Sequence, residues 1–236
     1  MSNYIKEFCF LLDKEDERYP FSLPIIKYNK KFNLDHKVTI FVGENGSGKS
    51  TLLEALAVGC GLNPEGGNKN YMFSTKDTHS ELSDYIRISR GYRRPKESFF
   101  FRAESYYNVK TYMEELEIGC GKKAMHDYSH GESFLVLLKG RLRGNGLYIF
   151  DEPEVALSPQ SQMAMLCKMR ELEKNNSQLI IATHSPIIMS YPNSVIYNIE
   201  GNGRIKAVEY EETEHYITYK MFLDNYRRMH ELLFEE

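Results

Sequence analysis

Hydrophobic and polar positions along the chain fall into two alternating patterns. Short runs at 38–42 (VTIFV), 147–150 (LYIF) and 179–182 (LIIA), apolar but for Thr39, read as strands buried on both faces. Elsewhere the apolar residues recur at helical spacing. Leu52, Leu53, Ala55, Leu56 and Val58 form one such set, ended by Gly59 and Gly61, and an apolar helix is expected near 131–143. Another helix is expected to begin at Ser158-Pro159, where the serine can cap and the proline occupies the first helical position. Further strands are predicted at 195–199 and 205–210, followed by a charged, aromatic-rich helix over 214–234. Strand-like residues fill 4–12 and 25–34, between turn signals such as Tyr19-Pro20 and Asn33. The stretch 62–80, rich in Gly, Asn, Ser and Thr, reads as a surface loop. The segment 81–127 is mixed, strand-like at 98–101 and helix-like at 109–116. Strands alternating with helices imply an α/β fold whose largely parallel sheet is covered on both faces.

Composition bounds this picture. With 42% apolar residues in 236, one substantial core is expected and a second full domain is not. Cys9, Cys60, Cys120 and Cys167 lie far apart without metal-ligand spacing, as reduced thiols of a cytoplasmic protein would. No apolar run approaches a membrane span, so no membrane insertion is expected. The formal charge of -3 supplies no overall attraction to nucleic acid.

Candidate chemistry begins directly after the first buried strand. Residues 43–50 read GENGSGKS, a full match to GxxxxGK[ST] between a predicted strand and a predicted helix. Such a loop curls its backbone N–H groups around phosphate oxygens, so Gly43, Glu44, Asn45, Gly46, Ser47, Gly48, Lys49, Ser50 and Thr51 are the candidate phosphate-binding residues. Lys49 would reach the outer phosphates, and Ser50 would offer its hydroxyl to Mg²⁺. The run LYIFDEP then delivers two carboxylates to the end of a strand, where open α/β sheets bind ligands. Asp151 suits the Mg²⁺ shell, and Glu152 suits a base that orients the attacking water. The strand at 179–182 ends in Thr183-His184-Ser185-Pro186, which makes His184 a candidate contact for a γ-phosphate.

Ser129 to Ser133 read SHGES, just before Phe134, Leu135, Leu137 and Leu138. The S-x-x-E spacing fits a capping box, and a capped helix start containing Gly131 is equally an anion site. The motif also resembles the LSGGQ signature of ABC ATPases. With LYIFDEP, the D-loop-like EVALSP and ATHSP, the order of motifs over about 30–200 resembles an ABC-type nucleotide-binding domain. The runs FSLPIIK, FFFRAESYYNV and IIATHSPIIM narrow the resemblance to short, stand-alone bacterial ATPases, similar to a RecF- or SMC-type head without its coiled coil.

That resemblance implies a P-loop NTPase with a mostly parallel central sheet, N-terminal antiparallel β elements and a small helical subdomain. It divides one domain, 1–236, into β elements (1–37), a phosphate-binding unit (38–61), a signature subdomain (81–143), core strands (147–200) and a C-terminal helix (214–236). It further implies ATP and Mg²⁺ as cofactors and a head-to-tail homodimer. Ser129, His130, Gly131 and Glu132 of one copy would then meet the γ-phosphate held by the other. No glutamine lies between cradle and signature, so the Q-loop position falls within Arg102-Ala103-Glu104, and Glu104 becomes the candidate metal or water contact. Glu152 and His184 are the implied catalytic pair.

The interval from Lys49 to Ser129 is too short for an SMC coiled-coil arm. The style DEPEVALSP with ATHSP resembles RecF-like and defence-associated ATPases, with the ATP-binding subunit of a transporter and a nucleotide-gated module of little turnover as the alternatives. Arg87, Arg90, Arg93, Arg94, Lys96 and Arg102, interleaved with Tyr92 and Phe99, fit either a nucleic-acid contact or a solvated basic loop. The C-terminal helix fits packing on the domain or on a protein partner.

Overall fold

The computed structural model describes residues 3–12, 16–68, 80–103, 140 and 142–234. Ten strands and six α-helices can be followed through them. In chain order they are β1 (Ile5–Phe10), α1 (Pro24–Tyr28), β2 (Lys31–Asn33), β3 (Val38–Gly43), α2 (Lys49–Gly59), β4 (Gly67–Asn68), β5 (Ile86–Arg90), β6 (Glu97–Arg102) and β7 (Gly146–Asp151). There follow α3 (Pro159–Lys174), β8 (Gln178–Ala182), α4 (Pro186–Met189), β9 (Val195–Ile199), β10 (Ile205–Val208), α5 (Glu214–Asp224) and α6 (Tyr226–Phe234).

Seven strands form one sheet in the order β10-β9-β3-β8-β7-β6-β4. Its five inner strands are parallel, and β10 and β4 are antiparallel edges. The apolar runs alternate between its faces as a pleat requires. Phe41, Ile149 and Ile180 enter one core with Leu52, Leu53 and Leu56 of α2. Val42, Phe150 and Ile181 enter the opposite core with Met165, Met169 and Leu172 of α3. The α/β fold with a mostly parallel sheet is the observed architecture.

The N-terminal antiparallel β elements form a three-stranded sheet, β2-β1-β5. It covers α2 through Phe8 and Phe32, whose rings stack at 4.5 Å, and through Ile86 and Ile88 of β5. One buried side chain joins the two sheets. Gln178, at the start of β8, accepts from the Ile5 amide at 2.9 Å and donates to the carbonyls of Ile5 and Leu34 at 2.8 and 2.9 Å.

Several elements differ from expectation. Residues 25–34 are not one strand, because Pro24 starts the short helix α1, which buries Ile25 and Ile26. Asn29 closes that helix by donating to the carbonyls of Ile25 and Gly203, and only β2 is extended. The expected surface loop at 62–80 begins inside the fold, with Leu62 buried and β4 paired to β6. The strand expected over 205–210 stops at Val208, and Tyr210 opens a short 3-10 helix. The single C-terminal helix is two, α5 and α6, separated at Asn225. The helix start at Ser158-Pro159 is as predicted, the Ser158 hydroxyl accepting from the Ser161 amide. The helix-like stretch at 109–116 and nearly all of 131–143 lie outside the described residues.

Candidate functional site

Strands β3, β7 and β8 run side by side and end on the same rim, and each delivers one part of the site. The loop leaving β3 turns through glycines. Gly48 caps α2 in the left-handed conformation at φ 93°, and a Cβ there would stand 2.7 Å from Ile25 Cγ2. A Cβ on Gly43 would meet the Ile199 carbonyl oxygen at 2.8 Å. No side chain caps α2, so its first amides have neither a capping acceptor nor, by helix geometry, an intrahelical one. They and the helix dipole form a anion-attracting corner.

Lys49 enters this corner almost fully buried, at 4% exposure, and donates to the carbonyls of Gly43 and Glu44, both at 2.8 Å. Burial holds its pKa below the ordinary lysine value, and the charges of Glu152, Asp151 and Glu154 oppose that shift. Ser50 donates to Asp151 Oδ1 at 3.1 Å. Thr51 is directed elsewhere in the cradle, with its hydroxyl 3.2 Å from the Tyr19 hydroxyl.

Asp151 closes β7, and the chain reverses at Glu152, whose φ of 49° and ψ of 52° place it in the left-handed region. The Glu152 amide is fixed to the Ala182 carbonyl at the end of β8 at 2.9 Å. Its carboxylate Oε1 lies 3.7 Å from His184 Nε2. That nitrogen is buried and has no hydrogen-bond partner among the described residues. Nδ1 of the same ring is 3.0 Å from His215 Nε2 on α5. Burial, reinforced by the charge of Lys49 and by His215, lowers the His184 pKa to about 4, so the ring is neutral at pH 7. His215 is shifted the same way, again first by burial.

The structure thus brings Lys49, Ser50, Asp151, Glu152 and His184 to one rim. Glu104, Ser129, His130, Gly131 and Glu132 lie outside the described residues. Two contributors were not singled out from sequence. Glu154, a third carboxylate just after the acid pair, accepts from Thr183 Oγ1 at 2.7 Å and from the His184 amide, so it sets the turn that carries the imidazole. Burial raises its pKa, against the effect of those hydrogen bonds. The repeated acid in DEPE was the available signal for it. His215 had none, since only the fold brings the first turn of α5 beside the turn that follows β8.

The oxygen pair of Ser50 and Asp151 is of the hard, compact kind that Mg²⁺ prefers. Among the described residues no group of three or more His, Cys, Asp or Glu side chains could hold a metal alone. A small donor set completed by phosphate oxygens fits that ion. The six clustered basic residues do not act as one free patch. Arg102 on β6 pairs with Glu54, and Arg90 on β5, in the other sheet, donates to the Gly59 carbonyl at 3.0 Å. No helix among the described residues is long and apolar enough to cross a membrane.

Comparison with known proteins agrees with this geometry. A family model described as an AAA domain matches residues 22–121, and one described as an AAA ATPase domain matches 134–189. An uncharacterized ABC transporter ATP-binding protein of Haemophilus influenzae is 29% identical over 181 residues, 64% of this chain and 65% of that protein. The macrolide export ATP-binding/permease protein MacB of Hahella chejuensis is 25% identical over 187 residues, 68% of this chain and 28% of that protein. The matches therefore span just under two thirds of one relative and little more than a quarter of the other. Among solved structures, cbiO1 of Clostridium perfringens, part of the ABC transporter complex cbiONQ, gives a TM-score of 0.49 at 17% identity, covering 98% of this chain and 99% of that one. An SMC head domain from Thermotoga maritima gives 0.46 at 14% identity, covering 87% and 99%.

The phosphate cradle, the acid pair and the histidine on neighbouring strand ends all lie within the stretches that match AAA-type ATPase models, and the chain is similar to ATP-binding proteins of the ABC class. Within that class, both curated relatives are named as ATP-binding proteins of transport systems.

Proposed function

We propose that this chain hydrolyses ATP with Mg²⁺ at the rim of β3, β7 and β8, as a cytoplasmic head-to-tail dimer that closes around two nucleotides. One observation carries the reading. A buried ammonium, a Ser50–Asp151 oxygen pair, and a carboxylate facing an unpartnered imidazole nitrogen meet at one rim.

Lys49 exchanges its bonds to the Gly43 and Glu44 carbonyls for the outer phosphate oxygens, while the loop amides and the first turn of α2 hold the rest of the triphosphate. Ser50 and Asp151 would hold Mg²⁺, which would supply positive charge to offset that of the phosphates. Glu152 accepts the proton of the attacking water. His184 directs Nε2 to the γ-phosphate. Ser129, His130, Gly131 and Glu132 of a second copy complete the site, and Glu104 contacts the metal or the water. The proposed work is a process such as DNA maintenance or defence. Service as the ATP-binding subunit of a transporter is the second reading, favoured by the names of the curated relatives.

Mass measured by light scattering, with turnover alongside, tests the mechanism. Glu152→Gln should retain ATP, stop releasing phosphate and double its mass when saturated with Mg-ATP. A strictly monomeric Glu152→Gln protein would remove the dimer, and an unreactive wild type would leave a nucleotide-gated module.

A further inference from the structure

We propose that His215, on α5, is a positioning residue that fixes His184 as its Nε2–H tautomer, so that the imidazole presents a donor rather than a lone pair to the γ-phosphate. The proposal rests on the hydrolytic reading for its consequence, but its first step concerns only two rings and a carboxylate.

His184 Nδ1 and His215 Nε2 are 3.0 Å apart, which requires one proton between them. Two neutral rings can place that proton on either nitrogen. If His184 donates from Nδ1, its buried Nε2 becomes a bare lone pair 3.7 Å from Glu152 Oε1. An ionised carboxylate accepts only, so lone pairs would then face each other at a nitrogen that is itself shut off from water. If His215 donates, His184 carries its proton on Nε2 and presents a positive edge to that carboxylate. The electrostatics of Glu152 therefore select the second arrangement, and His215 is the donor that makes it possible. A nitrogen is given its tautomer by the hydrogen bond its ring partner makes, as in metal-bound histidines held by an outer group.

The placement of His215 is built rather than incidental. Thr213, 3% exposed, caps α5 by accepting from the Tyr216 amide at 3.3 Å and donates to the Tyr210 carbonyl at 2.7 Å. The rings of Tyr210 and Tyr216 pack at 4.8 Å. The first turn of α5 is thereby fixed, and His215 lies in it. Glu44, Asn45, His184 and His215 border a common cavity of about 270 Å³, so the helix stands directly beside the cradle.

Nitrogen-15 NMR of the full chain labelled at histidine, recorded without nucleotide at pH 7.5, tests the tautomer. The His184 spectrum should show a protonated Nε2 and a bare Nδ1. His215→Gln, whose side-chain amide can donate from nearly the same place, should keep that pattern, whereas His215→Leu, which keeps Glu152 but removes the donor to Nδ1, should raise the share of the Nδ1–H form. In turnover, His215→Leu should lower kcat about tenfold or more with KM for ATP little changed, and His215→Gln should recover most of it. Because α5 buries none of its own residues, the leucine variant is expected to fold, and the wild-type spectrum can overturn the proposal without it. A protonated His184 Nδ1 in the wild type, or a leucine variant with wild-type kcat, overturns the proposal. Absence of turnover in the wild type overturns the hydrolytic reading instead, while the spectra still decide what His215 does.

Discussion

His184 is held from two sides by regions built on different principles. The strand-end rim is made of β3, β7 and β8, every residue of which is buried, and its chemistry sits at or just past the strand ends: Asp151 closes β7 with Glu152 next, His184 is two residues past β8, and Lys49 opens α2 after the loop from β3. The C-terminal pair α5 and α6 buries no residue, and leaves Ile217, Leu223, Leu232 and Phe234 exposed. Yet the same imidazole is gripped by Glu154 through its backbone on the rim side and by His215 through its ring on the helix side. Stability and chemistry coincide on the rim, whereas α5 can affect the chemistry while contributing little to the core.

The sharpest way to break this contrast is at the cradle. Lys49→Ala should cost about 2–5 kcal/mol of ATP affinity by calorimetry, the range for truncating one partner of a buried, hydrogen-bonded charge pair. Near-normal affinity would mean that the rim is not the phosphate site. Next in size, Gln178→Ala strands three backbone groups of β1 and the chain after β2, and should lower unfolding free energy by about 3 kcal/mol in urea titration. A smaller effect is expected of pH. The His184 pKa is held at about 4, below the ordinary 6.5, so the unfolded chain takes up this proton first as pH falls. The stability of the neutral ring is whole above about pH 6.5 and is lost on descent toward pH 4. The wild type should therefore lose more melting temperature between pH 7 and pH 5 than His184→Gln does, and equal losses would contradict the buried neutral ring. Smallest of all, Leu232→Ser on α6 should change stability by no more than about 0.5 kcal/mol. A large loss there would show that the helix pair carries core energy after all.

The difference between the regions also explains what could be read from sequence. The glycine loop, LYIFDEP and ATHSP were legible because each joins a continuous apolar run to polar residues at a strand end, a local pattern that survives without the fold. His215 was not legible. Its contact spans 31 positions and depends on where α5 is anchored. Helix α1 escaped for another reason: Ile25 and Ile26 are apolar neighbours that suit a strand as well as a short helix, and Pro24 decided between them. β5 escaped because alternating isoleucine and arginine looked like a basic loop, whereas Ile86 and Ile88 are its core face. Position 225 carries neither Gly nor Pro, so nothing marked the break between α5 and α6.

Gln178 has a further consequence. It opens β8, the five-residue ribbon whose far end becomes Thr183 and His184, and that ribbon is bonded along its length to β3 on one side and β7 on the other. A ribbon so clamped moves only with its neighbours, so the anchor of the outer sheet at one end and the imidazole just past the other share one rigid frame.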